Sequence, residues 1–492
     1  MNVVRSFFDI LSDKTVNERG YFFSNKALFA LFLPLFVEQA LEFAVGLADS
    51  MMVASLGEVA ISGVSLVDFL VQLLIFSFSA LGTGGAVIAG QYLGNNERDK
   101  ACDASDQLVW FTTILAIIMA VLVLVFKSFL INLFFGQIET DVFNTSSIYL
   151  SYMAISIPFI ALYNSGAAIF RTMGKARLPM QIMLVCDILN VIGNAILLFV
   201  FGYGVEGVAI PTVLARALAA FILIYYLLQE RYELHIKRTL RHKFDALLLK
   251  KVLNVGIPYG VENGVFQLGR VLILSLVSTF GTVAIAANSV GYAIGIFSVL
   301  PGFAINLGLT AVISRCVGYD DYEQAKFYNK KILIIVFIAH LVINLIIFAL
   351  LPFILQIYGL SPEATGLTYQ MVFWHGVFAI LIWPIAFTLP TTFRGAGDAK
   401  WPMAISLSVM FICRIGLSYV IADFLGVGVF GTWIAMFIDW YVRAGLYVYR
   451  YFNGKWMGYR AVGENGWKVI LNSFILYELS LTFKYNLCIK YY

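Results

Sequence analysis

The chain has 492 residues, of which 61% are hydrophobic and 13% charged, and a mean hydropathy of +0.86. Soluble domains carry about 25% charged residues, so this composition excludes a cytosolic enzyme, a disordered chain and a nucleic-acid binder. Net charge is +4, with the basic residues spread over short segments rather than gathered in a patch, as in an integral membrane protein.

A membrane-spanning helix needs about 20 apolar residues. Cutting the sequence at charged and Gly/Pro-rich breaks predicts twelve spans, hence an all-α membrane protein. They run over 27–54, 59–93, 106–126, 143–165, 178–201, 205–229, 251–279, 283–316, 331–351, 367–390, 401–424 and 429–452. Residues 1–26 read as a cytoplasmic leader without a signal peptide. Residues 27–229 form an N-terminal six-helix bundle, 230–250 a charged cytoplasmic linker, and 251–452 a C-terminal six-helix bundle. Residues 453–492 form a cytoplasmic or interfacial tail, in which Trp467–Phe483 is apolar enough to lie in the membrane interface.

Alternate loops differ in charge. One set carries Arg98, Lys100, Arg171, Lys175, Arg177, the run Arg231–Lys251, Lys326, Lys330, Lys331, Arg394 and Lys400. The other carries Lys127 beside Glu58, Glu139, Asp141, Glu206 and Glu363. The positive-inside rule then places both termini in the cytoplasm of a plasma-membrane protein. The cysteines (Cys102, Cys186, Cys316, Cys413, Cys488) have no metal-binding spacing and read as small apolar residues.

An internal repeat divides the chain. Pro34 and Pro258 lie 224 residues apart, and the same offset pairs Glu38 with Glu262, Gly57 with Gly281, Val59-Ala60-Ile61 with Val283-Ala284-Ile285, and Gly94 with Gly318. Further on, Phe170-Arg171-x-x-Gly174-x-Ala176-x-x-Pro179-Met180 recurs as Phe393-Arg394-x-x-Gly397-x-Ala399-x-x-Pro402-Met403. Six spans per half make the repeat parallel, the architecture of a transporter whose halves rock about a central site. Pro34 and Pro258, each inside a long helix, are candidate hinges.

Polar residues inside the spans mark that site. Glu38, Glu42 and Asp49 fall within about 40° of one helical stripe, and Asp187, Asn190 and Asn194 share another. A carboxylate facing lipid costs about 3 kcal/mol or more, so these stripes face inward. Asp49, Asn194 and Thr212 each lie eight residues from an outer turn, roughly 12 Å deep at 1.5 Å per residue. Glu42, Asp187 and Arg216 lie roughly 6–10 Å deeper by the same rise and read either as a structural ion-pair cluster or as part of the site. A carboxylate among amide and hydroxyl oxygens suits a proton or Na+, the latter at Asp49, Asn190, Asn194 and Thr212, with no other cofactor. In the C-terminal half Glu262, Asn263 and Gln267, with Arg270, are expected to line the cavity or form a second coupling site. Arg414, Asp439 and Arg443 read as structural pairs, and His375 as a core histidine.

Several of these segments resemble signatures of the multidrug and toxic compound extrusion (MATE) transporters. They are Gly46-Leu-Ala-Asp49-Ser-Met-Met-Val-Ala-Ser-Leu-Gly57, Ala89-Gly-Gln-Tyr-Leu-Gly94, Phe170-Arg-x-x-Gly174 and Asn190-x-x-x-Asn194. The resemblance covers roughly residues 27–455 and implies a monomeric antiporter that exports small organic, often cationic, compounds in exchange for H+ or Na+. It implies that Asp49, fifteen residues after the proline of its span, couples the ion, with Asn190 and Thr212 beside it. Asn194 departs from the DinF-like branch, which has a carboxylate there. Phe266 departs from the NorM-like branch, which has a glutamate. With one carboxylate fewer, a proton is the simpler coupling ion. The competing readings are a flippase of lipid-linked saccharides, which would prefer a cationic cavity, and a sugar facilitator, whose basic loop is missing at Gly94–Lys100. A membrane enzyme would need one of the common hydrolase or phosphate-binding motifs, and the sequence has none.

Overall fold

The computed structural model describes residues 9–136, 138–238 and 243–462. A short helix, Lys14–Arg19, precedes twelve long ones. In chain order these are α1 (Asn25–Ala54), α2 (Glu58–Gly94), α3 (Arg98–Phe135), α4 (Thr140–Thr172), α5 (Arg177–Val200) and α6 (Glu206–Leu227). The second half holds α7 (Ala246–Ser278), α8 (Thr282–Gly318), α9 (Tyr322–Tyr358), α10 (Pro362–Leu381 and Pro384–Ala396), α11 (Lys400–Phe424) and α12 (Val429–Phe452).

Among the described residues ten helices are long and apolar enough to cross a membrane, and α10 adds an eleventh. The twelfth of the repeat, α12, carries Asp439 and Arg443 paired with each other, which makes it less apolar. Helix starts follow side-chain caps: the Ser24, Asp245, Asp321 and Ser361 side chains accept from backbone N–H groups of the first turn.

Two sequence expectations are corrected. The span expected over 367–390 is two helices meeting at 62°, broken at Ile382–Trp383 just before Pro384, which has no N–H to donate to the ladder. Helices α3 and α9 run well past the expected 106–126 and 331–351. Their charged first segments, Arg98–Asp106 and Tyr322–Lys331, remain helical, with Arg98, Asp99, Lys100, Glu323 and Lys330 exposed and Asp106 and Lys331 buried. The tail segment Trp467–Phe483 lies outside the described residues.

The repeat is visible in the backbone. Gly57 and Gly281 hold φ of 97° and 89°, and Gly174 and Gly397 hold 73° and 99°. Asn96 and Asp320, also 224 residues apart, are the non-glycine residues with positive φ among those described. These left-handed residues end or reverse helices at matched points of each half.

The halves meet at the end of the molecule that carries the basic loops, here the basic face. There α2 lies against α7 and α8 with almost no side chain between. A Cβ on Gly84 would come 2.6 Å from the Gly256 nitrogen, and one on Gly94 or Gly318 would come 2.1 Å from the carbonyl oxygen of Arg315 or Gln91. At the opposite face nothing lies within 4 Å of a Cβ built on Gly57 or Gly281. The tilted ring pair Phe43–Phe297 (5.6 Å) is a further contact between the halves.

Each half also lends a helix end to the other. Leu28, Leu31, Phe32 and Leu35 of α1 belong to the C-terminal core, where Phe32 abuts Gly308. Reciprocally, Leu248, Val252 and Val255 of α7 belong to the N-terminal core, with Gly256 against Leu81. Pro34 and Pro258 stand where α1 and α7 pass back to their own halves, inside continuous helices.

Beyond α12 the chain crosses the seam. Trp456 is fully buried and stacks on Tyr451. Arg460 donates to Asn95 Oδ1 (2.8 Å) in one half and to the Gly318 carbonyl (2.6 Å) in the other, and pairs with Asp320 at 3.4 Å. Gln91, wholly buried, accepts from the Ala461 N–H (2.8 Å) and donates to the Gly395 carbonyl (3.2 Å).

Candidate functional site

Three helices of the N-terminal half bring the expected residues together. Asn194 Nδ2 donates to Asp49 Oδ1 at 2.7 Å and lies 3.4 Å from Asn190 Oδ1, while Asn190 Nδ2 donates to Thr212 Oγ1 at 3.0 Å. The four side chains from α1, α5 and α6 thus form one hydrogen-bonded chain. Thr212 passes its own proton to the Val208 carbonyl (2.8 Å), which leaves its hydroxyl oxygen as an acceptor. Asn194 is fully buried and its Oδ1 has no partner among the described residues. An oxygen left open beside a carboxylate is an acceptor for a proton donor or a ligand for a small cation.

Asp187 lies one turn before Asn190 on α5. One of its carboxylate oxygens is buried without a partner, and its charged neighbours are Glu42, Asp49, Glu38 and Arg216. Among the described residues Glu42 accepts from Gln39, at 3.0 Å, and it is exposed. Arg216 instead donates to Ser156 Oγ (2.9 Å) and to Met153 Sδ (3.4 Å). The expected structural ion-pair cluster of Glu42, Asp187 and Arg216 is therefore not formed: Arg216 is turned toward α4. Asp68 of α2, which no sequence pattern singled out, joins this pocket and accepts from the Tyr149 hydroxyl at 3.3 Å. Its only signal was being a carboxylate deep in an apolar helix.

Glu38 sits apart from the open acids. It is 4% exposed and pairs with Arg171 at 2.7 Å. The Tyr163 hydroxyl lies 3.3 Å from the same carboxylate and 3.2 Å from the Pro179 carbonyl. The C-terminal half repeats the arrangement. Arg394 Nη2 is 2.8 Å from both oxygens of Glu262, the Ser406 hydroxyl donates to that carboxylate at 2.6 Å, and Tyr447 reaches the Pro402 carbonyl at 3.1 Å. Arg443 donates to Ser406 and pairs with Asp439 at 3.0 Å. The repeated acid and the repeated Phe-Arg motif are thus the two partners of one buried ion pair. Their common offset was the signal for it in the sequence.

Other expected residues are placed as follows. Gln267 accepts from Arg270 at 2.8 Å, and Asn263 is half-buried one residue after Glu262. Asp439 and Arg443 pair as expected, but among the described residues Arg414 pairs with no carboxylate and lies 5.3 Å from the Phe266 ring. His375 is buried against Trp433 and Trp440. Among the described residues no three His, Cys, Asp or Glu side chains cluster as a metal site would require.

The known proteins that resemble this chain share both the sequence pattern and the fold. The MatE family model matches residues 34–196 and again 258–420, the same 224-residue register. A probable multidrug resistance protein NorM of Thermotoga maritima is 26% identical over 442 residues, covering 88% of this chain and 93% of that protein. The probable multidrug resistance protein YoeA of Bacillus subtilis is 24% identical over 437 residues, covering 87% and 93%. Among solved structures, a MATE protein in its straight conformation superposes with a TM-score of 0.82 at 20% identity, over 88% of this chain and 96% of that one. A MATE transporter in an outward-facing conformation gives 0.81 with the same identity and coverage. With the family model matching in both halves, this chain belongs to the MATE family of multidrug efflux transporters.

Proposed function

We propose that the protein is a plasma-membrane antiporter that exports organic, often cationic, solutes in exchange for a cation bound at Asp49, Asn190, Asn194 and Thr212. The observation that carries this reading is the hydrogen-bonded chain linking those side chains of three helices. The multidrug resistance names of the relatives support the solute class.

The mechanism follows from mutually exclusive occupancy. With a proton or Na+ on Asp49 the pocket loses one negative charge and holds an organic cation less strongly. With the ion gone, the carboxylates of Asp49, Asp68, Asp187 and Glu42 attract a cationic solute. Coupling needs only that occupancy by either ligand permits the halves to rock while the empty state does not. Loop charges orient the basic face to the cytoplasm, with both termini there, so the close contact of the halves lies on the cytoplasmic side. Opening inward would part α2 from α7 and α8 and release Arg460 and Gln91 from their partners.

Asn194 supplies an amide where a second carboxylate would help neutralise Na+, so the coupling ion is a proton. The test is ethidium export from proteoliposomes holding the purified monomer. Export should follow an imposed pH gradient in sodium-free buffer and vanish in Asp49→Asn. Export driven by a sodium gradient alone would replace the proton in this scheme, and absence of any gradient-driven export would refute antiport.

A further inference from the structure

A cavity of about 620 Å³ lies between α3 and α6 of the N-terminal half, away from the contact between the halves. Its floor is Leu162 of α4, a helix packed against both. Trp110 and Thr113 stand on the α3 wall, Ile224 and Tyr225 on the α6 wall. Each wall continues as an apolar stripe at helical spacing. On α3, Ile114, Ile117 and Val121 follow Trp110 and are exposed; on α6, Leu214, Leu218 and Phe221 lead to Tyr225 and are exposed likewise. Both stripes run from the cavity away from the basic face, so the cavity is the basic-side end of a groove on the flank of a membrane-spanning bundle.

The linker closes that end with Ile236, Lys237 and Arg238. It is tied to both walls: the Ile236 N–H donates to the Leu227 carbonyl at the end of α6 (2.9 Å), and the Lys237 N–H to Asp106 Oδ1 of α3 (3.4 Å). Arg238 Nε donates to the Leu228 carbonyl at 3.1 Å, one of the acceptors that a helix C-terminus leaves open. One of five guanidinium donors thus fixes the side chain at the rim. Arg238 is exposed, and among the described residues it forms no ion pair. Lys237 pairs with Asp103 at 2.7 Å, an exposed bridge of small net worth that a stronger anion can replace.

We propose that this groove is a binding site for one anionic phospholipid of the leaflet on the basic face, with its phosphate on Arg238 beside Lys237 and an acyl chain over Leu162 between Trp110 and Tyr225. The polarity of the groove is that of the lipid: an apolar track that ends in a positioned guanidinium, with two amphipathic aromatic side chains where headgroup and tail meet. Guanidinium groups bind phosphate through paired N–H donors, and basic segments at a membrane surface favour anionic lipids. A water-soluble anion would leave the apolar walls uncovered, and an uncharged solute would make no use of Arg238. The proposal needs only that the bundle spans a membrane and is independent of the export reading.

Trp110 reports on the groove directly. The full chain is reconstituted in phosphatidylcholine bilayers containing graded fractions of phosphatidylglycerol, with bromine on the acyl chains of one lipid or the other to quench tryptophan fluorescence. The contribution of Trp110 is the difference from Trp110→Phe. Brominated phosphatidylglycerol should reach half-maximal quenching of Trp110 at a lipid fraction roughly fivefold or more below that of brominated phosphatidylcholine. Arg238→Gln should raise that fraction roughly fivefold, the effect of one basic side chain at an anionic headgroup. Lys237→Gln should raise it less, and Asp103→Asn, which frees Lys237, should lower it. Lys400→Gln, an exposed cation of the basic face in the other half, should change it by less than about twofold. Both substituted linker residues are exposed, so the variants should fold, and their Tm in phosphatidylcholine alone should match the wild type. Equal quenching by the two lipids would overturn the site. So would a preference retained in Arg238→Gln/Lys237→Gln, or one lost as fully in Lys400→Gln, which would make it a diffuse effect of surface charge. Trp110 quenched by neither lipid would mean that a second copy or another protein segment covers the groove, and the lipid assignment would fail.

Discussion

The two halves share a backbone register but differ in chemistry, and the difference separates buried ion pairs common to both from a set of open acids found in one. Both keep a buried glutamate–arginine pair, Glu38–Arg171 and Glu262–Arg394, and a tyrosine reaching the carbonyl of the proline that follows. That tyrosine comes from α4 in one half and from α12 in the other, so the contact is kept although the donor helix is not. The hydrogen-bonded chain has no counterpart. Asp49, Asn190, Asn194 and Thr212 align with Ile273, Cys413, Leu417 and Met436. The paired charges are common to both halves, whereas the open acids occur once and are the residues proposed to carry the exchange.

The comparison yields graded expectations. The largest is at Asp49: Asp49→Asn should reduce gradient-driven export to background with the protein still inserted, while Ile273→Asn, its counterpart in the other half, should leave export within about twofold. An Ile273 variant as inactive as the Asp49 variant would erase the asymmetry. Next come the repeated pairs. Glu38→Gln and Glu262→Gln should each destabilise by about 3–5 kcal/mol, because each leaves a buried arginine without its counter-charge. Thermal unfolding of both variants checks this, and a Glu262→Gln protein of wild-type Tm but lowered turnover would move that pair from scaffold to mechanism. Asn194→Asp should give a several-fold gain in sodium-driven export by returning a second carboxylate to the chain, measured as the ratio of sodium-driven to proton-driven rates. The smallest effect lies at the seam. Arg460→Ala removes charge-assisted bonds to both halves, each worth on the order of 1.5–3 kcal/mol when fully formed. Because Arg460 is only half-buried the net shift should be nearer 1 kcal/mol, seen as roughly fivefold faster labelling of a cysteine placed at Ser314 beneath Gly90.

Much of this was legible in the sequence. Helical spans declare themselves by length and hydropathy. The repeat is exact enough to be read residue by residue, and stripes and depths follow from 3.6 residues per turn and 1.5 Å of rise. That is why Asp49, Asn194, Asn190 and Thr212 could be expected in one place before their distances were known. What escaped depends on how helices face each other. Arg216 turns to Ser156 rather than to the acids, a choice made by the rotation of α6 against α4. The bend in α10 was hidden because Pro384 and Pro390 sit in an apolar run whose hydropathy never falters. The strap from Trp456 to Ala461 was invisible because half of its bonds end on backbone atoms, Gly318 and Tyr451 carbonyls among them, which carry no side-chain signature. Gln91 belonged to a recognisable motif, yet its partners at Gly395 and Ala461 lie more than 300 residues away.

The exchanged ends of α1 and α7 constrain how the chain can be made. Leu28, Leu31, Phe32 and Leu35 leave the ribosome well before their packing partners around Gly308 and Leu309, which are synthesised some 276 residues later. Domains ordinarily fold in order of synthesis. Here the opening turns of α1 must wait in the bilayer, against lipid or a translocation partner, until most of α8 has been inserted. The N-terminal core in turn is complete only when Val252 and Val255 of α7 arrive. A chain cut in the linker would thus yield two fragments that each lack part of their own interior, and co-expressed fragments should assemble only by trading those helix ends.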